Sequence, residues 1–329
     1  MKKTLAVAAV LAAFAGSAAA DVTVYGKVDS GLGYQNLDGD SSWQMKSGGS
    51  GASRLGFKGA EKIGDMTVGF VYETGLNMDD GTADKKFNNR VSQLYVKGAY
   101  GELGLGFYGA LDSATGPYDF QGGTSAMSTG YFGIGGHNYV MNDRATLRLK
   151  NAVTYKTPTY AGLTVAAQVG TASADAVYEY SNESDMYYGV AAKYAAGDFG
   201  ATVIATKLME KDNGVEDLNL TAGVNYNFGV AKAFLAVNYY DDGAKADQYG
   251  VVAGFTMPLM GGTLEAQAGY GEEEAADGAE TDNTFAGAFY KYPLSKQTFL
   301  YGAAGWDQEK TKAKTVDNYR AIAGICHNF

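Results

Sequence analysis

Side chains able to carry covalent or proton-transfer chemistry are sparse in this chain. It has two histidines, His137 and His327, far apart in the sequence, and a single cysteine, Cys326. A hydrolase needs a nucleophile, a base and a group that orients the base, all within reach of one another. Neither histidine stands near a serine motif, so both are read as structural or surface residues. The segment GLGFYG at 104–109 matches the glycine fingerprint of dinucleotide sites. No apolar helix follows it and no alternation of strands and helices surrounds it, so its glycines are read as easing strand packing. One cysteine cannot close an intrachain bridge. Neither a cofactor nor a resident metal is expected.

Two further groupings admit more than one reading. The acidic run Glu272, Glu273, Glu274, Asp277, Glu280 and Asp282 could hold divalent cations that bridge to lipopolysaccharide, or be a solvated loop. Tyr239, Tyr240, Tyr290, Tyr292 and Tyr301 could stack sugars, or form an aromatic girdle where apolar chain meets lipid headgroups. What stands out is residues 109–144, which show neither strand nor helix periodicity. Connections beyond ~12 to 15 residues are uncommon unless functional or disordered. Tyr118, Phe120, Tyr131, Phe132, Ile134 and Tyr139 make this stretch too aromatic for a solvated tail. It reads as a loop packed against something.

The elements around it must supply that surface. With 46 Gly, 25 Tyr, 15 Phe, only 4 Pro and a mean hydropathy of -0.19, the 329 residues are too polar for a helical membrane protein and unusually aromatic for a soluble one. The net charge of -10 excludes a nucleic-acid partner, which would require a basic face. Residues 1–20 carry Lys2 and Lys3, an apolar run from Leu5 to Phe14, and Ala18, Ala19 and Ala20 at the end. This is the pattern of a secretory signal cut before Asp21, and the run is too short to span a bilayer. Residues 21–329 then form the working domain.

From Asp21 onward the period is two. Val22, Val24, Val28, Leu32 and Tyr34 share one face; Leu218, Leu220, Ala222, Val224, Tyr226 and Phe228 share another, opposite Asn219, Thr221, Asn225 and Asn227. About sixteen such segments follow one another, most near the ~9 to 11 residues that a tilted membrane strand needs. Connectors alternate between short ones, such as those around Gly64, Gly197 and Gly261, and longer polar ones beginning at Asn36, Asn77, Glu272 and Asp307. All four prolines fall in connectors or at strand ends, where none would interrupt a ladder. The expected fold is all-β: a transmembrane, antiparallel, up-and-down β-barrel in an outer membrane, closed by its last segment against its first.

VYGKV at 24–28, SRLGFKGAE at 53–61, GELGLGFYG at 101–109 and the terminal Phe329 resemble the Gram-negative general porins. The resemblance covers essentially the whole chain after residue 20. It implies a sixteen-stranded homotrimer whose third outer loop, here residues 109–144, folds into the lumen. It also implies a charged constriction, with acidic residues on that loop facing a basic wall. PYDF at 117–120 is similar to the acidic motif, with one extra residue, and points to Asp119, with Asp112 as second candidate. The wall would be Lys27, Arg54, Lys58, Arg90, Arg148 and Lys150. Alternation places Lys27 opposite Val24 and Val28, Arg54 opposite Leu55 and Phe57, and Arg148 opposite Leu149 and Val153, whereas Arg90 has the parity of Leu94 and Val96. The implied function is a water-filled channel for ions and small hydrophilic solutes, bounded by lipid and lipopolysaccharide, with no reaction. The alternative is a barrel acting mainly as adhesin or receptor through its outer loops. Acidic outer loops would favour cations and basic wall residues anions.

Overall fold

The computed structural model describes residues 22–80, 90–128, 130–136, 147–172, 185–210, 214, 216–244 and 246–329. The expected signal segment, His137 and the end of the long aperiodic stretch from residue 137 to residue 144 lie outside them.

Among the described residues the regular structure is almost wholly strand. In chain order the strands are β1 Thr23–Leu37, β2 Asp40–Ser47, β3 Arg54–Ile63, β4 Met66–Gly75, β5 Val91–Gly98, β6 Gly101–Gly109, β7 Arg148–Lys156, β8 Leu163–Thr171 and β9 Met186–Ala196. They continue as β10 Phe199–Met209, β11 Leu218–Asn227, β12 Lys232–Asp241, β13 Asp247–Leu259, β14 Gly262–Glu274, β15 Glu280–Pro293, β16 Thr298–Thr311 and β17 Thr315–Asn328. Each neighbouring pair is antiparallel, and β1 pairs with β17, so the sheet closes on itself. β2 and β3 lie along the same edge of β1, β2 opposite Ser30 to Leu37 and β3 opposite Thr23 to Lys27. They make one interrupted stave, and the barrel has sixteen.

Side-chain alternation divides the wall into two faces. Along β11, Asn219, Thr221 and Asn225 are buried, while Leu218, Leu220, Val224 and Tyr226 between them are exposed. The same pattern leaves Leu94, Val190, Val203, Leu235, Val237 and Ile325 exposed. An apolar face this extensive on a closed barrel is the face that lipid covers. No helix among the described residues is long and apolar enough to cross a membrane; the strands do so.

The long polar connectors need correction. The stretch from Asn36 continues β1 to Leu37, turns at Asp38 and Gly39, and returns as β2. Both turn residues have positive φ, 52° and 94°, as a two-residue hairpin turn requires. Likewise β14 runs through Glu274 and β15 starts at Glu280, and β16 reaches Thr311 before β17 starts at Thr315. Backbone pairing does not depend on lipid, so the ladders continue past the apolar band with polar side chains. Their charges pair across strands, Lys310 with Asp282 at 3.5 Å and Lys312 with Glu280 at 3.7 Å. Among the described residues no group of three or more carboxylate, histidine or cysteine side chains could hold a metal ion.

The seam is tight where the start of β1 meets Phe329. Gly26 N–H donates to Phe329 O at 2.9 Å, and Phe329 N–H to Gly26 O at 3.0 Å. A Cβ on Gly26 would run into the Phe329 ring and lie 2.6 Å from Arg54 O. Gly302 has room, its nearest such neighbour being Ile322 O at 3.9 Å. Gly26→Val should therefore lower the yield of closed barrel, since overpacking costs about 1–3 kcal/mol, while Gly302→Ala should leave it unchanged. Electrophoresis with and without heating separates closed from unfolded chain; equal yields would contradict the seam assignment.

Candidate functional site

Residues 110–136 leave the top of β6 and run along the polar face of the wall. Leu111 N–H donates to Gln168 Oε1 at 2.9 Å. Asp112 is completely buried and accepts from Tyr187 Oη at 2.9 Å, Thr206 Oγ1 at 2.6 Å and Asn219 Nδ2 at 3.2 Å, reaching β9, β10 and β11 together. Asn225 Nδ2 donates to Gly123 O at 2.9 Å. Farther along, Gln267 on β14 accepts from Ser125 Oγ and Met127 N–H and donates to Gly135 O. Tyr131 stacks on Phe289 with ring centroids 3.8 Å apart and donates to Glu265 Oε2 at 2.6 Å. Burial and the Glu265 carboxylate push the Tyr131 hydroxyl well above its usual pKa, so it remains a donor.

Glycines in the wall make this approach possible. A Cβ on Gly223 would lie 2.7 Å from Thr124 Cγ2, one on Gly305 would lie 2.7 Å from Ile134 Cγ2, and one on Gly33 would lie 2.7 Å from Phe132 Cζ. At its start the segment buries Leu111, Tyr118 and Phe120 with Tyr108, Leu149, Tyr187 and Ile204. Farther on, Met127 and Ile134 pack with Phe289, Phe299, Tyr301 and Ile322. Of the aromatic residues that made disorder a poor reading, Tyr118, Phe120, Tyr131 and Phe132 belong to or pack against these two clusters; Tyr139 lies outside the described residues.

The charged residues gather mainly on β1, β3, β4 and the start of β5. Glu73, only 7% exposed, is the centre. Arg90 Nε lies 2.5 Å from its Oε1, Arg54 Nη1 lies 3.6 Å from the same oxygen, and Tyr25 Oη donates to Oε2 at 3.2 Å. Lys58 Nζ stands 5.1 Å above the Tyr25 ring. The parity problem of Arg90 disappears because it precedes β5 and alternation does not bind it. Lys27 pairs in register with Arg54 and lies 3.9 Å from Asp29. Glu73 was not among the sequence candidates. The signal was present, since Phe70 and Tyr72 share the lipid face and Glu73 falls opposite them.

Arg148 and Lys150 sit differently. Arg148 Nε donates to Arg90 O at 3.1 Å, which brings it to the same region. The alternation used to orient it does not hold, because the β7 register shifts between Lys150 and Val153, and Asn151 has a φ of 50°. That bulge puts Leu149, completely buried, with Tyr108 and Tyr118 rather than on the face of Val153. Lys150 O accepts from Thr171 Oγ1 at 3.1 Å. Asp119 is exposed, and its Oδ1 accepts from Gly122 N–H at 3.0 Å, at the entry to the short 3₁₀ turn Gln121–Gly123. The two acidic candidates therefore differ in kind: Asp112 is a buried anchor and Asp119 a surface charge.

Comparison with known proteins agrees with this architecture. Residues 6–312 match the family model of the Gram-negative porins. The chain is 31% identical over 328 residues to outer membrane porin protein 32 of Delftia acidovorans, covering 92% of this chain and 88% of that protein. It is 28% identical to the major outer membrane protein P.IB of Neisseria meningitidis serogroup A over the full length of both. Among solved structures it superposes on the anion-selective porin from Comamonas acidovorans with a TM-score of 0.75 at 25% identity, covering 94% of this chain and all of that one. OmpT of Vibrio cholerae in its trimer form, at 16% identity and a TM-score of 0.69 over 94% of this chain and all of that one, shares the fold. A closed barrel with an apolar outer band, matched along nearly its whole length in sequence and in structure, places this chain in the family of Gram-negative porins, the channel proteins of the outer membrane.

Proposed function

We propose that the protein is a passive diffusion channel for ions and small hydrophilic solutes, with a preference for anions set by a charged constriction. In this reading the segment beginning at Gly109 folds into the lumen and narrows it. Lys27, Arg54, Lys58 and Arg90, with Arg148 and Lys150 beside them, form the facing wall, and Asp119 is the acidic counterpart on the segment. The observation that carries the preference is the burial of Asp112 under three hydrogen bonds. It leaves Asp119 as the exposed carboxylate among the described residues of the segment, against a cluster of cations on the wall. The contacts of residues 111–135 with the polar face support a channel over an adhesin or receptor, which would display this segment outward.

Magnitudes make such a cluster relevant to permeation. Two unit charges ~4 Å apart interact by about 4 kcal/mol at an effective dielectric near 20, and about 1 kcal/mol in water. A bias of ~1.4 kcal/mol is already a factor of ten. Glu73 offsets part of the arginine charge but stays fixed between Arg54 and Arg90, so removing both arginines exposes its charge as well.

We also infer a homotrimer, in contact with lipid and lipopolysaccharide over the rest of its outer face. Small outward residues on β17, Ala321 and Ala323, support close packing of walls, and a solved neighbour in the fold is a trimer. The signal segment is expected to be removed before Asp21.

Reversal potentials under a salt gradient test the constriction. Arg54→Ser with Arg90→Ser should shift selectivity toward cations, and Asp119→Asn further toward anions. Replacing Glu272, Glu273 and Glu274 by Gln should do less, because exposed charges more than ~8 to 10 Å from the path are screened at physiological salt. Equal shifts for all three, or shifts of opposite sign, would contradict this constriction. Native mass measurement in detergent should give three chains per particle; only single chains would refute the trimer.

A further inference from the structure

The interrupted stave carries an arrangement that the channel reading does not use. Between the pairs Lys27↔Arg54 and Ser30↔Ser47, β1 has two residues, Val28 and Asp29, whereas its partner edge has six, residues 48–53. The surplus cannot lie in the ladder. The sequence GGSG at 48–51 lets it leave, with Gly48 at φ 75° and Gly51 at φ 148°. It turns over the polar face of β1 toward β16 and β17. A Cβ on Gly49 would meet Tyr301 Oη and lie 2.6 Å from Ile322 Cδ1, both side chains of the cluster that also packs Met127 and Ile134.

What these residues cover is Asp29. Its Oδ1 accepts from Tyr301 Oη at 2.7 Å, and its Oδ2 accepts from Ser50 N–H at 2.9 Å and from Ser50 Oγ. Backbone bonds complete the attachment, Gly48 N–H to Asp29 O at 3.0 Å and Asp29 N–H to Ser53 Oγ at 3.0 Å. The Asp29 side chain is left with no exposed surface. Lys27, beside it, donates to Ser50 O at 3.4 Å and keeps 13% of its side chain exposed. On Gly51 a Cβ would lie 2.7 Å from Lys27 Nζ, so the small residue there leaves the ammonium its place.

We propose that residues 48–53 are a second inward element of the channel, one that covers the Asp29 carboxylate and so makes the Lys27 ammonium the charge a permeating ion meets at this level of the wall. The proposal rests on the channel reading above. Hydrogen-bond donors and packed atoms over a carboxylate keep a mobile cation from approaching it, while Lys27, which keeps some exposed surface where Asp29 keeps none, still attracts anions at short range. Asp29 offsets part of the Lys27 charge in either case; without the cover the carboxylate would also face the lumen and be open to direct contact with a cation. The element thus determines specificity although it carries no charge of its own.

The test replaces residues 48–53 by Thr-Thr, which matches the two residues of β1 and makes the stave continuous. Single-channel conductance should rise and the reversal potential should shift toward cations. Adding Asp29→Asn to this replacement should abolish the shift and keep the rise in conductance. An unshifted reversal potential, or an equal shift with Asn at position 29, would overturn the proposal. A second measurement needs no deletion. Ala52, exposed on this element, is changed to Cys in a Cys326→Ser background and treated with sulfonatoethyl methanethiosulfonate. The attached sulfonate should lower single-channel conductance and shift selectivity toward cations; mass-confirmed labelling with unchanged current would overturn the inward placement. The parent protein is recorded in parallel, and a parent that does not conduct would refute the channel reading itself rather than the role of this element within it.

Discussion

Peptide groups have no hydrogen-bonding partner in hydrocarbon, and from that constraint the whole architecture follows. A sheet with free edges would leave rows of N–H and C=O groups unsatisfied at several kcal/mol each. The chain answers by pairing β1 with β17 over eleven positions, Lys27↔Asn328 to Leu37↔Asn318. Closure forces one face outward into lipid and the other inward, and the period-two pattern then sorts side chains between them. It also brings the beginning of β1 to the end of β17, since Gly26 and Phe329 exchange backbone hydrogen bonds.

Inside such a wall, side chains have to fill space or leave it for something else. Here the polar face does both. Asn, Gln and Thr side chains hold the segment by hydrogen bonds, and glycines at 33, 223 and 305 remove bulk where it touches the backbone. The wall opposite is furnished with Lys, Arg and Glu. One sheet therefore has two inner characters: a docking surface that runs from β8 round to β17 and on to Gly33 of β1, and a charged surface mainly on β1 to β5.

The sequence was informative wherever a rule of period two applied without interruption. β11 alternates as expected from Leu218 to Tyr226, losing the alternation only at Asn227, which is exposed at the strand end, and Lys27, Arg54 and Lys58 share a parity in the same way. It failed where the backbone departs from that period. Asn151 adopts a left-handed conformation that asparagine tolerates better than most residues but that a period-two reading ignores, and the bulge there detaches Leu149 from the face of Val153. Asp38-Gly39 is a strong hairpin signal, yet the polar residues around it masked strands that extend beyond the apolar band. The role of Asp112 was illegible for another reason: its partners Tyr187, Thr206 and Asn219 lie 75, 94 and 107 residues away, on three successive strands that only the folded, curved sheet brings to it.

The docking surface of the segment has a consequence for the order of assembly. Phe132 rests on Gly33 of β1 and Ile134 on Gly305 of β16, elements from opposite ends of the chain that become neighbours only through β17. Before the seam shuts, the place where this part of the segment lies does not exist. Docking of this part of the segment therefore cannot precede closure, and a barrel caught short of it would leave Phe289, Phe299 and Ile322 without the Met127 and Ile134 side chains that pack on them. The segment works as a stitch across the seam, tying a strand from the start of the barrel to one near its end.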